Sequence, residues 1–267
     1  MGRDGMKPTD ILRNTVREKF ARDEVVASMT VRLVRGVEIA TIAASAGFDT
    51  LYVDVEHSSF SLDTTGQICI AALAAGVTPL VRVATWDTIG RVLDGGAMGV
   101  IVPHIRSATD AQAAVRAAKL PPLGDRSAGG GLPALQYRSF PAAEANPALN
   151  AATLVAVMIE TVEALDHVEE IAAVAGLDML LVGTNDLSAE MGIPGEYDHP
   201  GITAAFTRTI AAARANGICV GVGGLSTRPD KVAEFVALGA RYVSTGTDLA
   251  FLSGACAMRA KQVRDLA

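Results

Sequence analysis

Aromatic residues are scarce in this sequence, at 4% of 267 residues, with a single tryptophan, Trp86. No Lys/Arg-rich run or basic stripe occurs, and the formal net charge is −6. A chain without a positive footprint is not expected to bind nucleic acid. Cysteine is limited to Cys69, Cys219 and Cys256, which are widely spaced and form no CxxC pair. They read as small buried hydrophobes in a reducing cytosol, so the expected location is cytoplasmic. No run of about 18 apolar residues is free of polar breaks, which argues against a transmembrane span and a membrane partner. Residues 1–17 are polar and mixed in charge, without the apolar core of a signal peptide. GxxxxGK[ST] is missing, and Gly221-Val-Gly-Gly224 lacks the rest of a dinucleotide fingerprint.

Half of the residues are hydrophobic, enough for a large core. Short β-branched runs alternate with longer helical stretches. The predicted strands are 25–31, 50–56, 78–83, 99–104, 154–160, 178–184, 219–223 and 242–246. They show little polar alternation, as strands buried on both faces do. The predicted helices are 36–45, 62–75, 88–95, 108–118, 162–173, 200–216 and 229–238, with a last one over 251–266. Glycines at 47, 76, 217 and 239 stand where helices end. Eight β/α units in this length predict one (β/α)8 TIM barrel over residues 1–267, with an open doubly wound sheet as the alternative. Residues 1–20 form an N-terminal extension or helix, and 251–267 a C-terminal helix. Leu120–Asn150, rich in proline and glycine, reads as one long loop at a rim.

Barrel active sites lie at the C-terminal ends of the strands. There this sequence places Asp54, Glu56 and His57 after strand two, Arg82 after strand three, His104 after strand four, Glu160 after strand five and Asp186 after strand six. Glu160 and Asp186 on neighbouring strands suit an oxygen-ligated Mg²⁺ or Mn²⁺, although each alone would also serve as a helix cap. His57 is a candidate acid/base, since an imidazole titrates near neutrality. Asp54 and Arg82 form either a structural ion pair or a device that aims the guanidinium at a substrate oxygen. His104 is a weaker candidate, His167 reads as a solvated mid-helix residue, and His199 as a turn before a helix. No lysine ends a strand, which counts against a Schiff-base aldolase and leaves a metal to polarise a carbonyl.

Several stretches carry a family resemblance: Phe48-Asp-Thr-Leu-Tyr-Val-Asp-Val-Glu-His57, Pro79-Leu-Val-Arg-Val83 with Trp86-Asp87, and Leu93-Asp-Gly-Gly-Ala97 with Val102-Pro103. So do Pro121-Pro-Leu-Gly-Asp-Arg-Ser127, Met158-Ile-Glu-Thr161 and, above all, Gly183-Thr-Asn-Asp-Leu-Ser-Ala-Glu-Met-Gly192. Together, over roughly 36–252, they resemble the HpcH/HpaI class II pyruvate aldolases, whose fold is a phosphoenolpyruvate/pyruvate-type barrel. The resemblance implies a metal-dependent lyase that reversibly cleaves a 4-hydroxy-2-oxo acid to pyruvate, or a similar 2-oxo acid, and an aldehyde. Such enzymes serve aromatic or sugar-acid catabolism. It also implies that Glu160 and Asp186 bind Mg²⁺, Mn²⁺ or Co²⁺, that His57 is the acid/base, and that Arg82, oriented by Asp54, holds the keto oxygen. Gly183, Thr184, Asn185, Asp186 and Met158 would line the 2-oxo-acid site. Met158 replaces a glutamine of the best-studied members, Thr184 a proline, and the first strand lacks their aromatic. A homo-oligomer, trimer or hexamer, with an exchanged C-terminal helix, is implied too. Two alternatives remain: a citrate lyase β-like acyl-CoA lyase or macrophomate synthase-like decarboxylase, and a non-enzymatic 2-oxo-acid or metal binder. An acyl-CoA enzyme needs basic residues at the rim, for which Arg106 and Arg126 are the candidates.

Overall fold

The computed structural model describes residues 5–266. Eight parallel strands close into a barrel in sequence order: β1 (Val26–Val31), β2 (Thr50–Asp54), β3 (Thr78–Arg82), β4 (Gly99–Val102), β5 (Leu154–Ile159), β6 (Met179–Gly183), β7 (Cys219–Gly223) and β8 (Tyr242–Thr247). The closed barrel, not the open sheet, is the architecture. Alternation within each strand divides the core in two. Tyr52, Leu80, Ile101, Ala156, Met158, Leu181 and Tyr242 fill the barrel interior. Val53, Val81, Val100, Val157, Val182 and Val222 point outward and pack under the helices. Both faces of most strands are therefore apolar, which is why the sequence shows runs rather than alternation, while β1 and β8 place hydroxyls that bond one another, Ser28 to Tyr242 and Thr30 to Ser244.

The helices are α1 (Thr15–Ala21), α2 (Glu38–Ser45), α3 (Leu62–Ala75), α4 (Ile89–Asp94), α5 (Ala108–Ala118) and α6 (Ala142–Ala152). They continue with α7 (Val162–Asp166), α8 (Val168–Ala172), α9 (Thr184–Glu190), α10 (Pro200–Ala215), α11 (Pro229–Leu238) and α12 (Asp248–Arg264). Gly76, at φ +76°, ends α3 in the left-handed conformation that a side chain would resist.

Three expectations need correction. The stretch 120–150 is not one loop. Its second half forms α6, despite Pro147 inside it. As a helix-to-strand connection it lies at the N-terminal end of the barrel, away from the strand ends that carry the charged residues. Predicted helix 162–173 is two short helices that break at His167, so His167 sits at a junction rather than mid-helix. Thr184, read as the last residue of strand six, instead opens α9.

The N-terminal mouth is closed. Helix α1 inserts Val16 into the interior cluster, with Phe20 packed beside it. Asn14 donates to the Met98 and Ala152 carbonyls at 3.1 and 2.8 Å. Entry to the barrel is left to the opposite end.

Candidate active site

At the C-terminal end, a cavity of about 270 Å³ is lined by residues that include Arg32, His57, Arg82, Met158, Thr184, Asn185 and Asp186. That is just below the roughly 300–1,000 Å³ of drug-sized sites and suits a small acid.

Asp54 and Arg82 are paired in register on β2 and β3. Arg82 grips the fully buried Asp54 with two donors, Nε to Oδ1 at 2.9 Å and Nη2 to Oδ2 at 2.6 Å. Its third nitrogen, Nη1, reaches Glu56 at 3.0 Å. The guanidinium carbon lies 5.6 Å from the centre of the Tyr52 ring. Two bonds, an ion pair and a ring face thus fix one orientation. Burial alone would push the Asp54 carboxyl up, but the Arg82 hydrogen bonds and the Arg82 and Arg32 charges hold it below the usual range. Burial works against the Arg82 charge as well, and Tyr52, Asp54 and Glu56 more than reverse that effect.

His57 follows on the turn after β2. Its backbone N–H, like that of Glu56, donates to Asp54 Oδ1 at 3.2 Å. Its ring is half exposed and lines the cavity, with Nε2 3.9 Å from Glu56. The same buried carboxylate therefore positions both Arg82 and the backbone that carries His57.

Glu160 follows β5 and is buried. It does not cap α7, because the Thr161 hydroxyl does so by accepting from the Ala164 N–H at 3.0 Å. Its Oε1 instead accepts from the His104 N–H at 2.7 Å. His104 adopts φ +59° to present that amide, a conformation that costs most residues of order 1 kcal/mol. Its ring lies between two carboxylates, with Nε2 2.7 Å from Glu56 and Nδ1 3.3 Å from Glu160. Burial pushes the Glu160 carboxyl up. The His104 amide and ring oppose the rise, while the charges of Asp186 and Glu56 add to it. Asp186 lies in the first turn of α9 and is exposed.

Close approach is built in here. A Cβ on Gly183 would stand 3.0 Å from Glu160 Cβ and 3.2 Å from Met158 Cε. One on Gly224, at φ +83°, would stand 3.1 Å from the Asn185 backbone nitrogen. Asn185 receives the Tyr197 hydroxyl at 2.6 Å. The Thr184 hydroxyl is buried and has no partner among the described residues, and its residue lines the cavity. A buried hydroxyl without a partner is costly and calls for a ligand atom.

These groups could hold a divalent cation. Among the described residues, no group of three or more His, Cys, Asp or Glu side chains is placed to hold a metal ion, so protein carboxylates would fill only part of its shell. Glu160 and Asp186 would supply two carboxylates, and water and substrate oxygens the rest, as Mg²⁺ and Mn²⁺ prefer. A cation would offset first the burial and then the Asp186 and Glu56 charges that raise the Glu160 carboxyl.

Sequence reasoning missed Arg32. It is the first residue beyond β1, and its Nε donates to Asp54 Oδ2 at 2.5 Å. The strand-end rule would have found it. Glu56 was noted at its strand end but given no role, although it links Arg82 and His104. Arg106 and Arg126, the candidates for phosphate pairing, are engaged by Glu163 at 3.0 Å and Asp94 at 2.6 Å.

A model of the HpcH/HpaI aldolase/citrate lyase family matches residues 35–255. The chain is 44% identical over 216 residues to the 4-hydroxy-4-methyl-2-oxoglutarate aldolase of Chaetomium globosum, covering 79% of this chain and 80% of that one. It is 35% identical over 229 residues to the 4-hydroxy-2-oxo-heptane-1,7-dioate aldolase of Salmonella arizonae, covering 83% and 84%. The crystal structure of an HpcH/HpaI aldolase from Desulfitobacterium hafniense superposes with a TM-score of 0.89 at 30% identity, covering 94% and 97%. With a closed barrel, acidic and basic strand ends and relatives of this kind over most of its length, the chain belongs to the HpcH/HpaI aldolase/citrate lyase family.

Proposed function

We propose that the protein is a metal-dependent class II aldolase that cleaves a 4-hydroxy-2-oxo acid to pyruvate, or a similar 2-oxo acid, and an aldehyde or ketone. The observation that carries this reading is the Asp54–Arg82 fork at the cavity, joined to buried Glu160 through Glu56 and His104. The relatives act on acids of that type by name.

Glu160 and Asp186 would hold a divalent cation, Mg²⁺, Mn²⁺ or Co²⁺, which when bound would supply Lewis-acid polarisation of the substrate carbonyl. The Thr184 hydroxyl and the amides around Asn185 and Asp186 receive the substrate carboxylate, with Gly183 and Met158 as the wall. His57 takes the proton of the 4-hydroxyl, directly or through a water. The C3–C4 electron pair moves into the 2-oxo fragment as the new carbonyl departs. Arg82 stabilises the resulting enolate oxygen, and a proton delivered to C3 completes the 2-oxo acid. Asp54 is a positioning residue that acts through Arg82 and His57.

Helix α12 supports a homo-oligomer in this reading. It meets the barrel at β1 and β8, and Leu249, Phe251, Leu252, Met258 and Val263 along it are exposed. A second copy of the chain is the natural cover, in a trimer or hexamer with this helix exchanged. The three cysteines are unpaired, which suits a cytoplasmic enzyme.

Pyruvate release from 4-hydroxy-2-oxo acids, followed with and without EDTA, tests the proposal. Turnover should disappear on chelation and return with Mg²⁺, Mn²⁺ or Co²⁺. Full turnover after exhaustive chelation would end it.

A further inference from the structure

We infer that Arg32 is the residue that reads the far end of the substrate, on the fragment released as the carbonyl product, and that the group it recognises there is a carboxylate, as the acids named for two relatives carry. The inference rests on the aldolase reading and assigns its specificity-determining residue.

The turn that carries Arg32 is held rigidly. The buried Asp248 carboxylate accepts the backbone N–H groups of Arg32 at 2.9 Å, Leu33 at 3.0 Å and Val34 at 2.7 Å. The Nε bond to Asp54 then fixes the side chain. Asp54 is thus shared by two guanidinium groups, one of which, Arg82, already occupies both of its oxygens. One carboxylate cannot neutralise two such cations. Arg82 spends its last nitrogen on Glu56. Arg32 does not: among the described residues, no acceptor lies within hydrogen-bond reach of its two terminal nitrogens, and the side chain is 36% exposed.

The surroundings select an anion. Arg32 lines the cavity together with Thr30, Ser226, Ser244 and Thr247, four hydroxyl residues with no carboxylate among them. In the closed barrel β1 stands across from β5, the strand that leads to Glu160. The 2-oxo-acid end belongs at the β5–β6 side, with Glu160, Thr184 and Asp186. The opposite wall therefore meets the far end of the substrate. A guanidinium with unused N–H groups, beside hydroxyls, recognises a carboxylate better than an alkyl group.

The experiment compares kcat/KM for 4-hydroxy-2-oxoglutarate and 4-hydroxy-2-oxopentanoate, which differ in having a carboxylate or a methyl at that end. Wild-type protein should prefer the dicarboxylate. Arg32→Met should lower that preference about 10- to 100-fold, mostly through KM, on the scale of a lost charged hydrogen bond. Arg32→Lys, which keeps the charge, should retain part of it. An equal fall for both acids in Arg32→Met would overturn the inference, because it would show that Arg32 acts only through Asp54. A wild-type protein without preference, or a preference that survives in Arg32→Met, overturns it too and leaves the aldolase reading intact. Cleavage of neither acid by wild-type protein supplied with metal is a distinct result, and it removes both.

Discussion

The two ends of the barrel handle polar groups in opposite ways. At the N-terminal end, buried polar side chains are matched chiefly to backbone, with the Arg126 Nε left without a partner among the described residues. Asn150 accepts the Leu120 N–H at 2.7 Å and donates to the Leu120 carbonyl at 2.9 Å. Lys119 donates to the Asn150 and Thr153 carbonyls at 2.8 and 2.6 Å. At the C-terminal end, charged side chains are matched chiefly to one another, and donors are left over: the Thr184 hydroxyl and the terminal nitrogens of Arg32. The end matched mainly to backbone holds the fold together, whereas the end that leaves donors facing a cavity awaits a ligand. Barrels divide stability and activity in this way because the strand-to-helix turns at one end are free to vary.

The comparison breaks most visibly at Arg82. Arg82→Ala should lower kcat/KM for pyruvate release by about 10²–10³-fold, the usual loss when one fixed donor is taken from a developing oxyanion. The barrel should remain folded, since Arg32 stays paired with Asp54. Near-normal turnover in that variant would remove the enolate role. A thermal melt by circular dichroism checks the fold.

The opposite pattern is expected at Asn150. Asn150→Ala strands the buried N–H of Leu120, at roughly 1–3 kcal/mol, while the Leu120 C=O keeps the Leu123 and Gly124 N–H groups. Chemical denaturation should show that loss, while turnover per folded molecule stays within about twofold of wild type. A large drop in turnover would mean that the two ends are coupled and that the division is false.

The same contrast explains what could be read from the sequence. The strands were legible because all but β8 are buried almost throughout, and their ends shifted by at most two residues. Helix α6 was hidden by Pro141, Pro147 and the glycines at 129–131, which look like a loop when the packing beneath them is unseen. The break at His167 was invisible because the apolar period runs through it. In the site, strand order brought Asp54, Arg82, Glu160 and Asp186 to one rim. What it could not give were the pairings made in three dimensions: Arg32 with Asp54, Glu56 with both Arg82 and His104, and Asp248 with the turn after β1. Each joins residues far apart in the chain or depends on which way a side chain points.

The smallest effect expected comes from Lys119, and its sign is informative. Burial pushes this ammonium down to about 8, although Asp178, 3.9 Å away, favours its charge and Arg17 opposes it. In the unfolded chain a lysine titrates at about 10.4. Between these values the unfolded state binds more protons than the folded one, so stability rises with pH. Below pH 8 both states are charged, and the dependence vanishes. From pH 8 to 9 the gain is about 1 kcal/mol, obtained from the value of about 8 and the linkage slope. Urea unfolding of wild type and Lys119→Met across that interval isolates it, because other titrating groups cancel in the difference. A wild-type curve parallel to that of the variant would mean that Lys119 stays charged on the strength of its two carbonyl bonds. The N-terminal end would then also contain a fully charged buried group, and the contrast with the site would narrow to whether each donor is matched.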